Sequence, residues 1–178
     1  EGEWSSWKRI HFRMIPTQSV NGICMFYLKQ VRPNFKLYIS PINIDPGRAV
    51  LPISTPQGYS EELEKRFGPF FTKGLPADTK ALDNDVLDDG EFLEQDDLAL
   101  RERLEMFDYE LARFSSGLLF YYVSSTDQRQ HMFWRHIDKE HPAYDPTLAK
   151  KYGNTIENIY KEMDKLLAKA MEKVDKDT

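Results

Sequence analysis

The 178-residue sequence predicts an α/β chain whose N-terminal part is an antiparallel β-rich region. Three observations predict it. Apolar residues alternate near the N-terminus and are punctuated by turn dipeptides, the pattern of short antiparallel strands. Two stretches, 93–114 and 156–174, repeat apolar residues at threes, fours and sevens, which is helical spacing. Between them, Leu118–Val123 is continuously apolar and aromatic, as in a strand buried on both faces.

The strand elements come first. Trp7–Ile15 alternates with Ile10, Phe12 and Met14 on one side, and Asn21-Gly22 is a turn signal. Ile23–Val31 is the next strand run, Arg32-Pro33-Asn34 a second turn, and Phe35–Ile39 a further strand. Residues 41–56 are proline-rich and extended, with a turn at Asp45-Pro46-Gly47. Residues 1–56 therefore read as a β-rich, cap-like region. Residues 57–178 read as an α/β portion, and a single compact unit is compatible with both.

Tyr59–Phe67 predicts a short helix capped by Ser60 and ended by Gly68-Pro69. Residues 76–90 are acidic and read as irregular. A calcium loop starting at Asp85 would put Gly90 at the sixth position. However, Leu87 then falls on a ligand position and Asp96 replaces the bidentate Glu, so a solvated loop leading into a helix is the better reading. Leu93, Leu100, Leu104, Phe107, Leu111 and Phe114 form one stripe of a long helix that Ser115-Ser116-Gly117 stops. Helix, tight turn and buried strand make half of an α/β unit, which predicts a parallel sheet with a right-handed crossover. Asp145-Pro146 opens a further helix. A last helix starts near Asn154, with Glu157 placed for a capping box. Its stripe is Ile156, Ile159, Met163, Leu166, Ala170 and Val174, with a frayed tail beyond.

Composition limits the function classes. With 40% hydrophobic and 30% charged residues, the chain has the make-up of a soluble globular protein. No run approaches the roughly 20 apolar residues of a membrane span. A net charge of −5 speaks against a broad basic face for nucleic acid and leaves room only for a local patch. The single Cys24 excludes an intramolecular disulfide and a cysteine-rich zinc module. Its apolar surroundings fit a buried, inert thiol, and one cysteine does not decide between cytoplasm and periplasm. Glu1-Gly2-Glu3 is not a signal-peptide start, and a beginning without Met predicts processing or trimming.

The chemistry concentrates in the segment after the apolar run. Ligands in open α/β sheets sit beyond the carboxyl ends of strands, which is where Asp127 falls. Asp127 and His131 are four apart, so a helix starting there would project both from one side. A carboxylate oxygen and an imidazole nitrogen suit zinc, manganese or iron. The same spacing also fits an N-capping Asp and a partly buried polar His. His136 would lie about 140° away on that helix, and His141 precedes Pro142 in a loop. Both read as surface residues. Ser124, Ser125 and Thr126 lack an evident activating base and read as turn or capping residues. His11 has no assigned role, and no Gly-rich phosphate loop is present.

The run from Leu118 through Asp127 and His131 to Trp134 resembles the middle of the alkaline phosphatase superfamily, in its phosphodiesterase and nucleotide-pyrophosphatase-like members. In those enzymes a buried strand ends in Asp-x-x-x-His, and the two residues bind the first of two metals. Asp127 and His131 match those positions. His141-Pro142-Ala143-Tyr144-Asp145-Pro146 is similar to the loop that follows there. Leu37–Asn43 with Asp45-Pro46, and Pro52-Ile53-Ser54, look like the region ahead of the metal motif in relatives.

The resemblance implies a phosphate-ester hydrolase with two divalent metals, zinc ahead of manganese, acting on a small-molecule ester. There, a hydroxyl attacks the phosphoryl group in line and water hydrolyses the covalent intermediate. Asp127 and His131 would help hold the metal that activates the water. The family's early metal-binding Asp, its nucleophile, its later Asp-His pair and its last His cannot be placed, and no Asp-His dipeptide occurs. The expectation is an internal fragment with no catalytic residue of its own, incomplete as an active site, that either self-associates or packs its strands in an arrangement foreign to the family. A noncatalytic cap or interaction module is the competing reading, which exposed aromatics around Tyr27 or Phe35 would favour.

Overall fold

The computed structural model describes residues 1–173 and is mixed α/β. Two compact units divide within a long helix: Glu1–Glu102 and Arg103–Thr178. All strand pairings among the described residues are antiparallel, so the expected parallel sheet with its crossover is not found there.

In the first unit the chain runs β1 (Glu3–Trp4), β2 (Lys8–Ile15), β3 (Gln18–Cys24), β4 (Phe26–Gln30), β5 (Lys36–Ile39) and β6 (Asn43–Ile44). Two three-stranded sheets result, ordered β1-β4-β5 and β2-β3-β6. The run Ile23–Val31, expected as one strand, breaks at Met25 and serves both sheets. Ser40 holds the break. Its N–H donates to the Met25 carbonyl at 2.9 Å, and its Oγ accepts the Met25 N–H at 2.9 Å. Both backbone groups of Met25 are thereby satisfied where no ladder partner can reach them.

The turn expected at Asn21-Gly22 lies instead at Pro16-Thr17, and Asn21 and Gly22 are paired strand residues opposite His11 and Ile10. Gly22 serves close packing rather than turning. A Cβ there would lie 2.6 Å from Ile42 Cγ2 and 3.2 Å from the Asn43 carbonyl oxygen. Only a residue without a side chain lets β6 pair at this position.

Short helices α1 (Tyr59–Phe67) and α2 (Thr79–Asp83) precede α3 (Asp89–Arg113). Gly58 rather than Ser60 caps α1, with φ at 88°, a left-handed value that glycine adopts without strain. The acidic 76–90 stretch is more ordered than expected. Asp78 caps α2 through the Ala81 N–H at 3.1 Å and accepts from Tyr38 Oη at 2.8 Å. Asp88 and Glu91 form a reciprocal capping box: Asp88 Oδ1 accepts the Glu91 N–H at 2.8 Å and Glu91 Oε2 accepts the Asp88 N–H at 2.9 Å. Gly90 lies inside the helix, so no calcium loop forms. The aromatic core packs Trp4 on Tyr27, with ring centroids 4.9 Å apart, and Trp7 on Phe71 at 4.7 Å. The buried Asp45 carboxylate accepts from Arg9 Nε at 2.9 Å and from the Gly47 N–H at 3.1 Å.

The second unit holds the C-terminal turns of α3, then α4 (Ser124–Phe133), a 3₁₀ turn at Trp134–His136, α5 (Pro146–Tyr152) and α6 (Thr155–Met171). The last residue of the expected α6 stripe, Val174, lies outside the described residues, as does the expected frayed tail. Asp145 caps α5 as its sequence predicts, accepting from the N–H groups of Thr147 at 2.6 Å and Leu148 at 3.1 Å. Those bonds hold its carboxyl below the usual range. Asn154 precedes α6 without a side-chain cap, and Glu157 pairs with Lys161 at 2.6 Å rather than closing a capping box. Lys169 Nζ reaches Asp108 at 2.7 Å and ties α6 to the end of α3.

Leu118–Val123 departs most from expectation. It forms no strand ladder among the described residues and is not buried on both faces. Leu118 is 90% exposed and Phe120 81%, whereas Leu119 and Tyr121 are partly covered and Val123 is buried. Tyr121 Oη donates to the Arg103 carbonyl at 2.7 Å, and its ring packs edge-on against Phe107 at 5.2 Å. One side of the segment is thus anchored on α3.

Two outcomes test this description. Gly22→Ala is expected to destabilise the chain by about 1–3 kcal/mol, because the new methyl group meets Ile42 and backbone; urea unfolding measures it. Burial, reinforced by the charges of Glu94, Glu91 and Asp88, pushes the Tyr27 hydroxyl up to about 12. Burial likewise raises Tyr121 to about 12, opposed in part by Arg103. A phenol whose folded pKa exceeds its unfolded value of about 10 stabilises the fold fully below pH 10, and that contribution declines as pH rises toward 12. Stability should fall across that window, with these tyrosines ionising late by ultraviolet absorbance.

Candidate functional site

Asp127 and His131 both lie on α4 and project from one face, as their spacing predicts. Asp127 Oδ1 and His131 Nε2 are 3.4 Å apart. The pair is accessible, with 48% of the Asp127 side chain and 75% of the His131 side chain exposed. The capping alternative for Asp127 is excluded: the cap position is Val123, without a side-chain bond, and Asp127 sits inside the first turn. A carboxylate there is favoured by the positive end of the helix dipole. Thr126 closes the turn by donating its hydroxyl to the Val123 carbonyl at 2.5 Å.

The donor set can be tested against a metal. Two ligands at about 2.0–2.1 Å from a tetrahedral ion lie about 3.3–3.4 Å from each other. The separation of Asp127 Oδ1 and His131 Nε2 falls in that range, which is also that of an i, i+4 ion pair. A catalytic zinc needs a third protein ligand. Among the described residues no group of three or more His, Cys, Asp or Glu side chains converges to hold an ion.

The other histidines are placed elsewhere. His136, read from sequence as a surface residue, is buried. Its ring lies 5.5 Å from Phe133 and 5.7 Å from Tyr152 in an aromatic cluster. His141 Nδ1 accepts the Ala143 N–H at 3.1 Å and shapes its own loop. His11 sits 3.0 Å from Asn21 Oδ1 across the β2–β3 hairpin.

The opposite face of α4 was not anticipated. Ser124, Ser125, Gln128, Arg129 and Phe133 are all buried. Their spacing is helical, but four of the five are polar, so an apolar-periodicity search passes over them. Buried polar groups are retained where they are hydrogen-bonded, and such networks fix orientation. The helix therefore has one face committed to the protein and one, carrying Asp127 and His131, open to solvent. Tyr160 of α6 steadies it further by donating to Gln130 Oε1 at 3.0 Å.

Comparison with protein-family models, with curated proteins and with solved structures finds no match. No helix among the described residues is long and apolar enough to cross a membrane.

Zinc titration should perturb the imidazole resonances of His131 ahead of those of the buried His136. His131→Ala or Asp127→Asn should weaken binding at least about tenfold, since each removes one of two donors. Because His131 is largely exposed, its removal should leave the thermal midpoint within about 2 °C. Unchanged zinc affinity in both variants would remove the pair from consideration as ligands.

Proposed function

We propose that this chain is part of a metal-dependent phosphate-ester hydrolase, to which it contributes Asp127 and His131 as ligands of one metal. The observation that carries the reading is the 3.4 Å separation of two accessible donor atoms at the start of a helix.

Under this reading Asp127 supplies an oxygen donor and His131 a nitrogen donor, with Val123 and the buried face of α4 holding the helix start in place. The bound metals, zinc ahead of manganese, supply polarisation of the phosphoryl oxygens and activation of water. The third ligand and the nucleophile come from outside these 178 residues, because two donors are too few for a catalytic ion. The substrate is a small-molecule phosphate monoester, diester or pyrophosphate.

A second reading, a noncatalytic interaction module, has its own observation. Tyr27 is buried and does not favour it, but Phe35 is 66% exposed and Ile39 52%. With Lys29, Lys36, Leu37 and Val86 they line a cavity of about 470 Å³ beside β5.

Chromogenic phosphate mono- and diesters distinguish the readings, with zinc or manganese added. The isolated chain should show no turnover. The complete natural polypeptide containing it should hydrolyse at least one ester, and Asp127→Ala should reduce kcat/KM by at least about a hundredfold. Full activity of the Asp127→Ala polypeptide would overturn the proposal.

A further inference from the structure

The six residues Leu118–Val123 carry a surface that the hydrolase reading does not use. None of the N–H groups from Gly117 to Tyr122 enters a backbone hydrogen bond among the described residues. The segment is not free to fold away, because Tyr121 anchors it through the Arg103 carbonyl and the Phe107 ring. Burial alternates along it: Leu119, Tyr121 and Val123 turn toward the protein, while Leu118, Phe120 and Tyr122 turn outward, with Tyr122 53% exposed. Alternation of period two on an anchored, unpaired backbone is the geometry of a strand waiting for a neighbour.

The sequence also specifies what kind of neighbour fits. No charged residue occurs between Arg113 and Asp127, and no proline either. Aromatic and aliphatic residues fill all six positions, the composition that favours strand pairing and lacks the charges that normally protect an edge. The segment is complementary to itself. In a two-fold antiparallel pairing with Phe120 opposite Phe120, Leu118 meets Tyr122 on the outward face and Leu119 meets Tyr121 on the inward face. Every cross-strand pair is apolar or aromatic, and no like charges meet despite the chain's net charge of −5. Two-fold symmetry requires residues of the same facing to lie opposite each other, which this register satisfies. The pairing would form about four to six interchain hydrogen bonds. The apolar area continues past the strand, because Leu118 and Leu119 border a cavity of about 490 Å³ lined also by Phe107, Leu111, Leu166 and Leu167.

We infer that Leu118–Val123 is a homodimerisation strand, pairing antiparallel with the same segment of a second copy of this chain. The inference rests on the unpaired edge and not on the metal reading of Asp127 and His131, which point from the helix that follows. A failure of either therefore leaves the other standing.

The test uses the 178-residue chain. Sedimentation velocity from low micromolar to near-millimolar concentration should show a monomer–dimer equilibrium. Amide hydrogen exchange at the two ends of that range should show residues 118–122 slowing as dimer forms. Phe120→Lys places two ammonium groups opposite each other at an exposed position and should raise the dissociation midpoint at least about tenfold without changing the far-ultraviolet spectrum. Phe120→Cys should oxidise to a covalent dimer, since Cys24 is fully buried and does not compete. A chain that stays monomeric overturns the inference. So does association that leaves amides 118–122 exchanging at the monomer rate, or that persists unchanged in Phe120→Lys.

Discussion

The constraint on which the second unit turns is that, among the described residues, the N–H groups of Leu118–Tyr122 have no backbone partner. An extended segment carries a donor and an acceptor at every residue, and these must find partners or water. Here α3 supplies side-chain anchorage through Tyr121 but no ladder. The segment keeps strand alternation without a sheet, and its direction sets where α4 begins. Asp127 lies in the first turn of α4 because the helix follows Val123 with no intervening loop. The position of the candidate ligands thus depends on an element that is itself half-satisfied.

The first unit solves the same accounting problem internally. Its strands are short and could not be stable as isolated ladders. Ser40 closes the break at Met25, Ser5 Oγ accepts the Phe26 N–H at 2.9 Å, and Asn43 Oδ1 accepts from Thr72 and Lys73 at 3.0 and 3.1 Å. Side chains thereby take over where the ladders stop. Gly22 allows β6 to approach, and the aromatic pairs Trp4–Tyr27 and Trp7–Phe71 seal the interior. Among the described residues, no comparable set of side-chain substitutes serves Leu118–Tyr122.

Helices were legible in the sequence because their signals are local. The α3 stripe through Leu100, Phe107 and Leu111, the stop at Ser115-Ser116-Gly117 and the Asp145-Pro146 start of α5 each rest on residues within one or two turns, although Phe114, the stripe's expected last member, lies past the helix end and is exposed. Strand pairing was less legible because its decisive terms are distant. Asn21-Gly22 has the chemistry of a turn, and only Ile42, some twenty residues on, makes Gly22 a packing residue. Ile23–Val31 looks like one strand until Ser40 divides it. The apolar run at 118–123 reads as a strand buried on both faces, yet it forms no strand among the described residues and Leu118 and Phe120 are exposed, because composition cannot supply the neighbour that such burial requires. At the site, the i, i+4 geometry of Asp127 and His131 followed from spacing alone. The buried polar face of α4 did not, since polar residues at helical intervals carry no apolar signal.

If Asp127 and His131 bind a metal as proposed, the two faces of α4 have separate tasks. A ligand pair must be reachable by an ion and by whatever completes its coordination, which favours the exposure seen at His131. It must also be held still, because loosely oriented donors lose affinity to side-chain entropy. Ser125, Gln128 and Arg129 are buried behind the pair, and Tyr160 holds the helix from the side through Gln130. An ordinary surface helix would bury Leu and Ile there and could rotate or slide at modest cost. A polar face tolerates less displacement, since each lost hydrogen bond in a buried network costs about 1–3 kcal/mol. Under the proposed metal reading, these buried residues lie behind the pair on the helix whose outward face carries Asp127 and His131.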